Sequence, residues 1–136
     1  MDDFRQIASD DAVALARAAA EVIRGLNHAT GCDAGLGQPS AAYDVIGALS
    51  LAASRLGQLL TQITRWLDQA LAAGRLGHDL GEDPAAATGA AAVFLGDARM
   101  SAAALAGDLD AAQQQLALIS PAPGSAGQPE AGDCRG

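Results

Sequence analysis

The most regular feature of the chain is a run of apolar positions separated by steps of three and four: Ile46, Leu49, Ala53, Leu56, Leu60, Ile63, Leu67 and Ala70. That period belongs to one face of an α-helix. Val45, Ala52, Leu59 and Trp66 lie beside it. They widen the face to three positions in seven, the breadth of a helix buried in a bundle rather than of a bare two-stranded seam. Asp44, Ser54, Arg55, Gln58, Thr61, Gln62, Arg65, Asp68 and Gln69 make up the remaining face. The helix is expected to open at Ser40, a good N-cap, and to stop at Gly74.

A second run repeats the pattern through Leu95, Ala98, Ala102, Leu105, Leu109, Ala112, Leu116 and Ile119. Asp83-Pro84 marks its start: Asp caps, and Pro suits a first helical position whose N–H has no partner anyway. Pro121 forbids continuation. Each helix would be roughly 50 Å long at the α-helical rise. The short, Gly-rich turn over residues 74–83 makes them antiparallel neighbours. Gly47, Gly57, Gly89, Gly96 and Gly107 interrupt them, and none falls on the seam as written. Each costs about 1 kcal/mol relative to Ala.

Upstream, Phe4, Ala8, Ala12, Leu15, Ala19, Val22 and Leu26, flanked by Ile7 and Ile23, predict an N-terminal helix over residues 1–26, which Gly25, Asn27 and Gly31 then stop. Residues 27–40 are rich in breakers and read as a flexible linker, and the Pro/Gly/Ala-rich residues 121–136 as a disordered tail. The expected fold is all-α: a long antiparallel helical hairpin over residues 41–120 with an additional N-terminal helix. Either that helix completes a three-helix bundle, or two hairpins pair into a dimeric four-helix bundle.

Composition sharpens this picture. Half the residues are hydrophobic but only 3% are aromatic, so the core must come from Ala, Leu, Ile and Val, and strands lack their preferred residues. A net charge of −8 repels phosphate backbones and anionic lipid, which argues against direct nucleic-acid or membrane-surface binding. The acidic opening Met1-Asp2-Asp3-Phe4 lacks the basic and apolar regions of a secretory signal, and the longest apolar stretch, residues 84–96, is too short to span a bilayer. A cytoplasmic location is expected.

Little in the chain points to chemistry. His78, Asp79, Glu82 and Asp83 gather in a turn with Gly at three positions, where a metal site would lack rigid geometry. His28 and Cys32 have ligand-like spacing without further ligands nearby. The expectation is therefore no catalytic, cofactor or metal site and no small-molecule substrate. Cys32 and Cys134 sit in segments expected to be mobile, so free thiols are expected there, with a disulfide open to them in an oxidising compartment. Trp66 and Leu59 flank the seam, while Val93, Phe94 and Met100 form an off-seam apolar patch that wants cover. These five are the candidate interface residues.

The segments YDVIGALSLAASRLGQLLTQITRWLDQALAAGRL, GEDPAAA and LDAAQQQLALI, within residues 43–119, resemble a group of small helical proteins of actinobacteria. That resemblance implies a helical fold and no particular activity. The size and hairpin shape are also similar to the WXG100 secretion substrates. The Trp-x-Gly turn of that family is missing, because Leu67-Asp68 follows Trp66, and so is its Tyr-containing export signal. The expected function is a non-enzymatic helical interaction module that self-associates through its heptad faces. The alternatives are an acidic accessory subunit that binds a basic partner protein, and a secreted hairpin of WXG100 type.

Overall fold

The computed structural model describes residues 11–32 and 35–124. Among them lie three helices and no strand: α1 (Ala12–Thr30), α2 (Pro39–Ala72) and α3 (Pro84–Leu116). The protein is all-α. It divides into two units, one of which, Ala42–Ser120, holds the hairpin.

Helix α1 is capped by Asp11, whose Oδ1 accepts from the Ala14 amide at 3.1 Å. It runs through Gly25 and Asn27 and closes at Gly31, the last of the three residues expected to stop it, whose amide donates to the His28 carbonyl. The N-terminal helix thus extends four residues beyond the expected boundary at residue 26, and the linker shortens to match. Gly and Asn each cost no more than about 1 kcal/mol inside a helix, and the helix carries through both; at its end the Thr30 hydroxyl donates back to the Leu26 carbonyl at 2.7 Å. The expected start of this helix, in residues 1–10, lies outside the described residues.

Helix α2 begins at Pro39 rather than behind a Ser40 cap. Both long helices therefore open with proline, whose fixed φ and missing N–H suit the first turn. At the other end of α2, Gly74 adopts φ +71, the Arg75 amide donates to the Ala70 carbonyl, and the Gly74 amide donates to the Leu71 carbonyl. These two bonds form a Schellman motif, which needs a left-handed residue that glycine supplies without steric cost. Asp83 then caps α3, with Oδ1 accepting from the Ala85 amide at 3.0 Å. Helix α3 stops at Leu116, ahead of the expected Ile119, and Leu118 and Ile119 lie exposed beyond it.

Three side-chain bonds fix the antiparallel register of α2 and α3. The Ser50 hydroxyl donates to the Ala106 carbonyl, the Arg99 guanidinium to Thr61 Oγ1, and the Gln113 amide to the Tyr43 carbonyl. What lies between the helices differs from the expected seam. Ile46, Ala53, Leu60 and Leu67 face inward, as do Leu95, Ala102, Leu109 and Leu116. The alternate positions, however, are displaced by one residue through the middle of the hairpin. Ser50, Gly57, Thr64, Ala106 and Gln113 are half-buried, whereas Leu56, Ile63, Ala98, Leu105 and Ala112 are exposed.

The helices have met along their smaller residues. Ala, Gly, Ser and Thr let two backbones approach closely, and among the described residues those buried are Ala53, Ala70, Ala102 and Thr88. Hydroxyls on this line satisfy themselves on the preceding turn: Thr61 donates to Gly57, Thr64 to Leu60 and Thr88 to Pro84. At Gly47 a Cβ would meet only the end of the flexible Gln113 side chain, which can move aside, so close backbone approach does not require glycine there. At Gly57 a Cβ would meet Arg99 Cγ at 3.8 Å, an ordinary contact.

Gly89 and Gly107 lie in the interior of α3, and a methyl group added at either would meet no atom within 4 Å. Replacing each with Ala should stabilise the hairpin by about 1 kcal/mol through helix propensity alone. Thermal unfolding followed by circular dichroism checks this, and additivity is expected in the double variant.

Cys32 is disulfide-bonded, against the expectation of a free thiol. The other cysteine of the sequence, Cys134, lies outside the described residues, as does most of the tail.

Candidate interaction surface

The displacement of the seam decides which side chains the hairpin leaves uncovered. Leu56 and Ile63 each precede an inward-facing residue, Gly57 and Thr64, and on α3 Leu105 precedes Ala106. One step back along an α-helix is a rotation of about 100° in a fixed sense. In two antiparallel helices that face each other, the same backward step turns both toward the same side of the pair. Leu56, Ile63 and Leu105 therefore share one flank of the hairpin, at 42%, 40% and 49% exposure.

Leu59, Trp66 and Phe94 stand at the outer edges of this flank, at 47%, 54% and 71% exposure. Counting from the three register bonds places Ile63 level with Phe94, and Leu105 level with Ala52. The flank is thus a ribbon of large apolar side chains running along both helices. The Arg75 guanidinium lies 6.0 Å from the centre of the Trp66 ring, a cation–π contact that steadies the indole at the turn end.

Of the five candidate interface residues, the structure brings Leu59, Trp66 and Phe94 to this ribbon. Met100 belongs to the opposite side, where it lines an open groove of about 570 Å³ with Ser54, Gly57, Thr61, Arg99 and Ala103. Val93 points outward from α3 at 64% exposure, so the off-seam trio does not form one patch. The heptad pattern assigns Leu56, Ile63 and Leu105 to the interior, which hides them as surface residues. The signal that could have found them is the small side chain that follows each: Gly57, Thr64 and Ala106.

The polar turn is organised by its own backbone. His78 Nδ1 accepts from the Leu80 amide at 3.1 Å, and Asp83 is engaged as a cap. Among the described residues no three His, Cys, Asp or Glu side chains gather as metal ligands. No helix among them is long and apolar enough to cross a membrane.

Comparison of the chain with protein-family models, curated proteins and solved structures finds no match. The surface must be read from its own chemistry.

Proposed function

We propose that the protein is a non-enzymatic helical interaction module that self-associates through the apolar flank of its hairpin. The observation that carries this reading is the exposure of Leu56, Leu59, Ile63, Trp66, Phe94 and Leu105 along one side of two packed helices. A contiguous apolar surface of this kind marks an interaction site rather than ordinary scatter of surface leucines. The hairpin's own core supports the same view, since the side chains it buries are alanines and one threonine. Two such helices bury little area, and pairing adds what they lack.

Sedimentation velocity over a concentration series tests the proposal, with the fluorescence of Trp66, the only tryptophan, as a local reporter. A dimer at tens of micromolar, accompanied by a shift of emission to shorter wavelength as the indole leaves water, is the expected result. A monomer with unchanged emission throughout that range would overturn it.

A second reading, a secreted helical hairpin, is favoured by one specific observation: Cys32 is disulfide-bonded. Structural disulfides persist in oxidising compartments and are reduced in the cytosol. Trapping thiols with a mass-tagged alkylating reagent in the native cell and its medium separates this reading from a cytoplasmic module. Oxidised Cys32 in the medium supports export, and reduced Cys32 confined to the cell supports the cytoplasm.

A further inference from the structure

Resting on the reading of self-association, the charge pattern around the flank points to one arrangement of the two copies. We infer that they pair about a two-fold axis running along the hairpin, so that α2 of each copy lies over α3 of the other. Two face-to-face arrangements are open to an apolar flank that is the same on both copies. In the lengthwise arrangement the axis is parallel to the helices, α2 crosses onto the second copy's α3, and every residue keeps its level along the bundle. In the crosswise arrangement the axis is perpendicular to the helices, and α2 lies antiparallel on α2 and α3 on α3.

The area suits either arrangement. Helices about 50 Å long at an interaxial spacing of about 9 Å present a face on the order of 900 Å². A stable interface needs about 800 Å² from each partner. Charge separates the two. The outer edge of α2 carries Arg55, and the outer edge of α3 carries Asp97 and Asp108. Among the described residues the one ion pair is Arg24–Glu21, so these three charges are unpaired within the hairpin.

The lengthwise axis sets Arg55 between Asp97 and Asp108 of the second copy, as the register of Ser50 with Ala106 and Thr61 with Arg99 requires. Asp44 of α2 then lies level with Gln113, and its repulsion of Asp108 offsets that residue's attraction to Arg55. Arg55 with Asp97 is left as the discriminating pair. With full overlap, the crosswise axis passes close to residue 55 of α2, because that helix spans Pro39–Ala72. It would bring Arg55 against its own copy and Asp97 against Asp108 of the second copy. Like charges so placed oppose association, whereas the lengthwise arrangement leaves Arg55 and Asp97, on the order of one to two turns apart along the axis, to attract each other.

Charge exchange tests this on the full-length protein, by sedimentation velocity at low salt with helicity checked by circular dichroism. Asp97→Arg should weaken the dimer by about threefold to tenfold, because it sets Arg against Arg55 of the second copy at two symmetric places. Arg55→Asp should weaken it similarly, and the double variant should return close to the wild-type affinity. Tightening of the dimer by Asp97→Arg beyond that given by Asp79→Arg in the exposed turn, which lowers the net negative charge equally, would overturn the lengthwise arrangement in favour of the crosswise one. A wild-type dimer indifferent to all three variants would overturn it too, leaving self-association intact. A wild-type monomer would remove the reading on which the arrangement rests.

Discussion

Enlarging Ala53 to Leu should destabilise the hairpin by about 1–3 kcal/mol, even though it adds apolar surface to a protein short of it. Ala53 is 3% exposed and sits where α2 and α3 approach through small side chains. Ser50 and Gly57 flank it on the same line, and Ala102 is buried opposite. The added carbons must push the backbones apart or adopt a strained rotamer. The Ser50 to Ala106 bond, at 3.1 Å, would be among the first lost. Urea unfolding at low protein concentration measures the effect without a contribution from association. Leu56→Ala is the matched control. Its side chain is 42% exposed, so the cost within one hairpin should stay below about 1 kcal/mol and grow only where copies associate. A larger loss from Leu56→Ala than from Ala53→Leu at low concentration would show that the leucine line forms the seam after all.

Introducing charge on the flank should have the second large effect, on association rather than folding. Leu59→Glu combined with Ile63→Glu removes two apolar side chains, at 47% and 40% exposure in the single chain. Glu matches Leu in helix propensity and exceeds Ile, so helicity should be retained. The dimer, in contrast, should weaken by at least about 100-fold, because each copy would bury unpaired carboxylates where apolar anchors stood. The same double substitution placed on the groove side, at Ser54 and Ala103, gives the comparison. An equal loss there would mean that added negative charge, on a chain already at −8, dissociates the copies by general repulsion.

Much of the architecture is legible in the sequence, and the legible parts share a cause. Asp83-Pro84 and Gly74 act through local backbone geometry, so their effects travel with the residue. The turn and the start of α3 follow from them, whereas α2 opens at Pro39, inside the segment read as linker, and not behind a Ser40 cap. Gly25 and Asn27 are poor helix formers and suggest an end at residue 26, whereas the helix continues through both to Thr30. Propensities of that size are weak next to a capped helix with bonds on either side. The bonded state of Cys32 is left open for a different reason: pairing of thiols depends on tertiary structure and redox compartment, which no local pattern encodes.

The candidate surface shows the same division most clearly. Leu59, Trp66 and Phe94 stand out in the sequence as apolar residues off the seam, and they lie on the exposed ribbon. Leu56, Ile63 and Leu105 read as interior yet are exposed, although the period that places them there is real. A face three residues wide in seven has two edges, and a single partner helix can occupy only one of them.

By itself, then, the sequence determined the all-α class, the hairpin, its turn and the breadth of its apolar faces, because periodicity and capping are properties of one segment at a time. Only the tertiary structure decided which edge of each face closes the hairpin. That choice compares how near two backbones can come along alternative lines. The line through Ala53, Gly57, Ala102 and Ala106 offers the smallest side chains, and Leu56, Ile63 and Leu105 beside it are left facing outward.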